Sequence, residues 1–138
     1  MKRHILLVED DDDDVSDFMA ELNKINIPCK CTRANSGDQA ISQLTYLLPD
    51  IIFLDVNLPG MNGLECLAEI RQIHRLDNVP VVLYSMGLLS SYKEKGMKLG
   101  ASDCVEKPIS SARLGDIIRK LTLEGRIFDE QGTEEINK

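Results

Sequence analysis

The chain has 138 residues, 43% of them hydrophobic and 28% charged, with no tryptophan and a formal net charge of −7. That length makes one domain, able to bury roughly two thirds of the surface its unfolded chain exposes. The acidic balance argues against a nucleic-acid surface, which needs Lys and Arg clustered on one face. The longest apolar stretch near the start, Ile5–Val8, is too short for a signal-peptide core or a membrane span, so the expected location is cytoplasmic. Cys29, Cys31, Cys66 and Cys104 do not form a metal-binding spacing. They read as buried thiols in a reducing compartment, Cys29 and Cys31 on one face of a strand. His4 and His74 are isolated surface or edge residues.

Taken in chain order, short apolar runs alternate with helix-period segments. Strands are expected near residues 4–9, 28–34, 50–55, 80–85 and 103–106, with helices near 13–26, 37–47, 63–75, 88–99 and 110–123. The first helix carries a stripe of Val15, Phe18, Met19, Leu22 and Ile25. Its acidic start, Asp11 to Asp14, reads as a solvated helix terminus that complements the macrodipole. Leu64, Leu67, Ile70 and Ile73 mark one face of the third helix, and Leu114, Ile117, Ile118 and Leu121 one face of the last. Ser36 suits an N-cap, Gly100 a helix stop, and Pro80 the first position of a strand. Ile51–Leu54 is apolar at consecutive positions, as a strand covered on both faces should be. Five βα units of this kind imply an α/β fold with an all-parallel sheet and helices on both sides. Residues 125–138 are polar and aperiodic and read as a frayed tail that Ile127 and Phe128 can pin to the body.

Four of these strands end in reactive side chains. The first ends in Glu9-Asp10, the third in Asp55, the fourth in Ser85, and the fifth is followed by Lys107-Pro108. In an open parallel sheet the carboxyl ends of the strands share one edge, where ligands bind. A carboxylate such as Asp55 can attack phosphorus and hold an acyl phosphate. Neighbouring acids would repel it unless they share a cation. Mg²⁺ favours oxygen ligands, typically one or two carboxylates together with water and phosphate. Asp10 and Asp55 are candidate direct ligands and Glu9 a direct or water-mediated one. Lys107 can pair with a phosphate oxygen as a point charge, and Ser85 can donate a hydrogen bond to another.

These positions, at spacings of thirty residues from Asp55 to Ser85 and twenty-two from Ser85 to Lys107, resemble those of a response-regulator receiver domain. The resemblance covers about residues 3–124, within a domain drawn at 1–124. It implies a flavodoxin-like five-stranded sheet in the order 2-1-3-4-5, with Mg²⁺ or Mn²⁺ as cofactor. It further implies that the backbone carbonyl of Asn57 is a metal ligand and that the Lys107–Pro108 bond is cis. A histidine kinase or phosphotransfer protein would supply the phosphoryl group to Asp55, and a downstream protein would read the result. The chain would then be a stoichiometric phosphoacceptor rather than an enzyme, and either a single-domain regulator or part of a longer protein.

Three positions depart from the family pattern. Cys104 stands where an aromatic switch residue is common, so the 86–92 loop becomes the expected mover. Met86 follows the strand-end hydroxyl and is expected to lie over the pocket and restrict access, while Gly87 offers no side chain to orient water. A phosphohydrolase of the haloacid dehalogenase type would require an acid two residues after Asp55, where this chain has Asn57, which cannot protonate a leaving group. A pseudo-receiver that never accepts phosphate would not be expected to keep all the site residues.

Overall fold

The computed structural model describes residues 2–87 and 90–123. The expected tail at 125–138, with Ile127 and Phe128, and positions 88 and 89 at the expected start of the fourth helix lie outside the described residues. Five strands, β1 (Arg3–Val8), β2 (Cys29–Ala34), β3 (Ile51–Asp55), β4 (Val81–Ser85) and β5 (Asp103–Glu106), form one parallel sheet in the order β2-β1-β3-β4-β5. The helices are α1 (Asp12–Leu22), α2 (Gly37–Gln43), α3 (Gly63–Ile70), α4 (Ser90–Leu99) and α5 (Ser111–Ile118). The α/β fold, the strand order and the parallel pairing are those expected from the sequence.

Alternation along the strands divides the interior into two cores. Leu6, Val8, Ile52, Leu54, Val81 and Leu83 face α2 and α3, meeting Ala40, Leu67 and Ile70. Ile5, Leu7, Ile51, Phe53, Val82 and Tyr84 face the other way, against Phe18 and Leu22 of α1 and Leu114, Ile117 and Ile118 of α5. Both faces of β1, β3 and β4 are thus buried, which is why these strands read as unbroken apolar runs.

Helix starts follow their capping residues. Asp11, Ser36, Asn62 and Ser110 each accept a hydrogen bond from the backbone N–H three residues on, satisfying donors that the helix itself cannot. The ends fall short of the sequence expectation. Helix α1 stops at Leu22 and α2 at Gln43, and the chain continues in turns closed by the Lys24 N–H to the Glu21 carbonyl and the Thr45 hydroxyl to the Ser42 carbonyl. Helix α3 stops at Ile70, and the next residue, Arg71, donates to the carbonyls of Gly100, Leu76 and Val79. A short 3₁₀ turn follows at His74–Leu76, and α5 widens into a π turn over Arg119–Leu123. Gly100, with φ of 107°, ends α4 in a conformation that L-residues avoid. Among the described residues no helix is long and apolar enough to cross a membrane.

Candidate functional site

Because β2 lies on one side of β1 and β3 on the other, the chain reverses direction across the sheet there. A crevice opens at the carboxyl ends of β1 and β3. Glu9, just past β1, is completely buried; Asp10 beside it is exposed; Asp55, the last residue of β3, is only 3% exposed. Gly63 makes the approach of α3 possible. Its N–H donates to the Val56 carbonyl at 2.9 Å, and a Cβ there would collide with the Asp55 carbonyl and lie 2.6 Å from Val56 Cα.

Among the described residues, Lys107 meets three of the acids at this edge. Lys107 Nζ lies 2.7 Å from Glu9 Oε1, 2.9 Å from Asp14 Oδ2 and 3.2 Å from Asp55 Oδ2, with its side chain 8% exposed. It also sits 4.7 Å from the ring centroid of Tyr84, a distance suited to a cation–π contact. The Lys107–Pro108 peptide bond is cis. The Tyr84 hydroxyl donates to Glu9 Oε1 at 2.7 Å. The other oxygens are held by backbone: Asp11 N–H donates to Glu9 Oε2 at 3.2 Å, and Asn57 N–H to Asp55 Oδ1 at 3.1 Å. Across the crevice, the Asn57 side-chain amide donates to Ser85 Oγ at 2.9 Å, and the Ser85 hydroxyl donates to the Met86 carbonyl at 3.1 Å.

The electrostatics follow from burial and from this excess of acids. Burial pushes the Asp55 carboxyl up to about 6, and the charge of Glu9 adds to the effect against the Asn57 N–H and Lys107. Burial pushes Glu9 the same way, but hydrogen bonds from Lys107, Tyr84 and the Asp11 N–H together hold it below the usual carboxylate range. Burial works against the Lys107 charge, yet its bonds to Asp14 and Glu9 and the charge of Asp55 leave its pKa raised. Around the buried lysine itself, three carboxylates therefore face one ammonium among the described residues.

Glu9, Asp10 and Asp55 each turn a carboxylate oxygen to within 4.8 Å of the other two. A donor set made wholly of hard oxygens, with uncompensated negative charge, fits Mg²⁺ or Mn²⁺. A depression of about 460 Å³ opens beside this cluster, lined by Asp10, Asn57, Pro59, Asn62 and Tyr92 among others. On the far side of Lys107, between α1 and the residues after β5, lies a cavity of about 530 Å³ bordered by Asp14, Phe18, Glu21, Tyr84 and Met86.

The structure brings Glu9, Asp10, Asp55, Asn57, Ser85 and Lys107 to this one edge. Met86 is 65% exposed and borders the cavity beside Asp14, not the depression beside Asp10. Cys104 is buried against the α3–α4 side of the sheet. Burial raises its thiol pKa, and raises Cys31 to about 11 and Cys66 to about 12. All four cysteines are free, with Cys29 and Cys31 half-buried.

Three residues in contact with the site were not singled out from the sequence. Asp14 is more than a solvated member of an acidic helix start, because its carboxylate meets Lys107. Tyr84 lies inside an apolar run and gives no sign that its hydroxyl reaches Glu9. Arg33, at the end of β2, donates to the Glu9 carbonyl at 2.9 Å and the Asp10 carbonyl at 3.0 Å, and pairs with Asp12 at 2.9 Å. It straps the acidic loop to the neighbouring strand. The sequence signals are slight: Asp14 stands one helical turn past Asp10, and Arg33 is a cation at the end of the strand beside β1.

The family model for the response regulator receiver domain matches residues 5–119. Among curated proteins, the sensory transduction protein LytT of Oceanobacillus iheyensis is 30% identical over 113 residues, covering 82% of this chain and 45% of that protein. The protein-glutamate methylesterase/protein-glutamine glutaminase of Bacillus subtilis is 35% identical over 107 residues, covering 72% of this chain and 27% of that protein. The chain thus spans less than half the length of either. The receiver domain of the sensor histidine kinase PA1611 from Pseudomonas aeruginosa PAO1, solved with a magnesium ion coordinated in its active-site cleft, superposes with a TM-score of 0.79. It is 26% identical, and the match covers 88% of this chain and 98% of that one. The chain belongs to the response-regulator receiver domains of two-component signalling.

Proposed function

We propose that Asp55 accepts a phosphoryl group from a histidine kinase or a phosphotransfer protein, and that the acyl phosphate shifts a surface read by a downstream protein. The observation that carries this reading is a buried carboxylate at the strand end, 3.2 Å from the Lys107 ammonium and beside the acids Glu9 and Asp10. An Asp55 oxygen attacks phosphorus and forms the new P–O bond. The P–N bond of the phosphohistidine breaks, and its electron pair leaves with the imidazole.

Glu9, Asp10, Asp55 and the Asn57 backbone carbonyl would hold Mg²⁺ or Mn²⁺. The metal supplies positive charge to the phosphoryl oxygens and to the excess of carboxylates. Lys107 offers an N–H to a phosphoryl oxygen as negative charge builds there. Ser85 can turn its hydroxyl from the Met86 carbonyl to a second phosphoryl oxygen, which requires its bond from Asn57 to rearrange. That movement links the site to the 86–92 segment and, through it, to the face built from α4, β5 and α5. The buried Cys104 offers no ring to swing inward on that face.

Intact-mass spectrometry after incubation with acetyl phosphate and Mg²⁺ tests the reading. One phosphate should be added to the wild type and none to Asp55→Asn, and EDTA should abolish labelling. Labelling that persists in Asp55→Asn overturns the assignment of the acceptor, and labelling that persists in EDTA overturns the metal requirement.

A further inference from the structure

An ammonium group has three N–H donors. Among the described residues, Lys107 has three carboxylates within hydrogen-bonding distance: Glu9, Asp14 and Asp55. Its three donors are therefore all engaged, on a side chain only 8% exposed. If a phosphoryl oxygen on Asp55 is to receive one of these N–H groups, a carboxylate must let go.

The three differ in how readily they can do so. Glu9 is completely buried, and release would leave its charge without the one cation that pairs with it among the described residues, a costly arrangement in the interior. Asp55 bears the phosphoryl group itself. Asp14, in the first turn of α1, has a side chain one third exposed and borders the 530 Å³ cavity beside Lys107. Its carboxylate can be taken up by water when it is released.

We propose that Asp14 is a positioning residue for phosphoryl acceptance: it engages Lys107 in the resting protein and is the carboxylate that yields the lysine to the phosphoryl group. The inference rests on Asp55 being the phosphoacceptor. While Asp14 holds Lys107, it competes with the transferring group for the same ammonium. Weakening that hold should therefore speed transfer and tighten the binding of a phosphoryl mimic.

The test compares Asp14→Asn with Asp13→Asn. Asp13 is exposed in the same helical turn, so its substitution makes the same change in charge and helix dipole. Labelling by acetyl phosphate is followed by intact mass at saturating Mg²⁺, and affinity for beryllofluoride by ¹⁹F NMR. Asp14→Asn should raise both by roughly twofold to fivefold, the scale of one partly exposed ion pair. Asp14→Ala should act in the same direction, whereas Asp13→Asn should stay near wild type. The Lys107 ammonium resonance of the unphosphorylated protein should shift in Asp14→Asn and not in Asp13→Asn. If the wild type labels but Asp14→Asn is no faster, or Asp13→Asn accelerates it equally, Asp14 does not hold the lysine back. Failure of the wild type to label at all overturns the parent reading together with this one.

Discussion

Replacing the proposed acceptor should make the metal-free protein more stable. Asp55 is buried with Glu9, and Lys107 is shared between these two acids and Asp14. Raising a carboxyl from 3.8 to about 6 corresponds to about 3 kcal/mol against the charged form in the fold. The attraction of Lys107 is already contained in that figure. Asn in place of Asp55 keeps an acceptor for the Asn57 N–H and leaves Lys107 with Glu9 and Asp14 as partners. The native pKa lies above the unfolded one, so the penalty is fully present above about pH 6 and disappears as the pH falls below about 4. Urea denaturation of both proteins in EDTA should therefore show Asp55→Asn more stable at pH 8 by about 2–3 kcal/mol, with the difference closing at pH 4. Saturating Mg²⁺ should narrow the gap at pH 8, because the wild type has the additional carboxylate to bind it. A less stable Asp55→Asn at pH 8, or an equal gain at both pH values, would refute the electrostatic reasoning.

Other substitutions test the surroundings of the site. Tyr84→Phe removes a hydroxyl from the buried Glu9 carboxylate and should lower unfolding free energy by about 1–2 kcal/mol; an unchanged urea midpoint would show that the bond contributes nothing. Arg33→Gln releases the strap on the Glu9 and Asp10 carbonyls and should weaken Mg²⁺ binding by about tenfold in calorimetry, with wild-type affinity as the contrary result. Met86→Ala should speed both labelling and loss of the phosphoryl group, followed by intact mass. Its exposed position beside the Asp14 cavity means that unchanged rates would remove Met86 as a gate.

The sequence was most legible where burial on both sheet faces leaves nothing but apolar residues. Ile5–Val8, Ile51–Leu54 and Val81–Tyr84 mark three inner strands, and the polar residue that ends each run marks the sheet edge. Glu9, Asp55 and Ser85 could be placed together for that reason. Helix ends were less legible, since stopping at Leu22, Gln43 or Ile70 depends on turns and on Arg71 reaching carbonyls far along the chain. The partners of Lys107 and Glu9 were hidden for a related reason. Asp14 looks like one more acid in a run of six, and Tyr84 like one more core side chain. Only the convergence of α1, β4 and the residue after β5 gives each its contact. Arg33 carries only the slight signal of a cation at the end of β2, and nothing local shows its guanidinium reaching the loop after β1.

Trapping the acyl phosphate chemically tests the central claim most directly. Borohydride reduces an aspartyl phosphate to homoserine, so a labelled and reduced sample can be digested and sequenced by tandem mass spectrometry. Homoserine should appear at position 55, dependent on both the phosphodonor and Mg²⁺. Homoserine at another aspartate, or a labelled protein that yields none, would contradict phosphoryl transfer to Asp55.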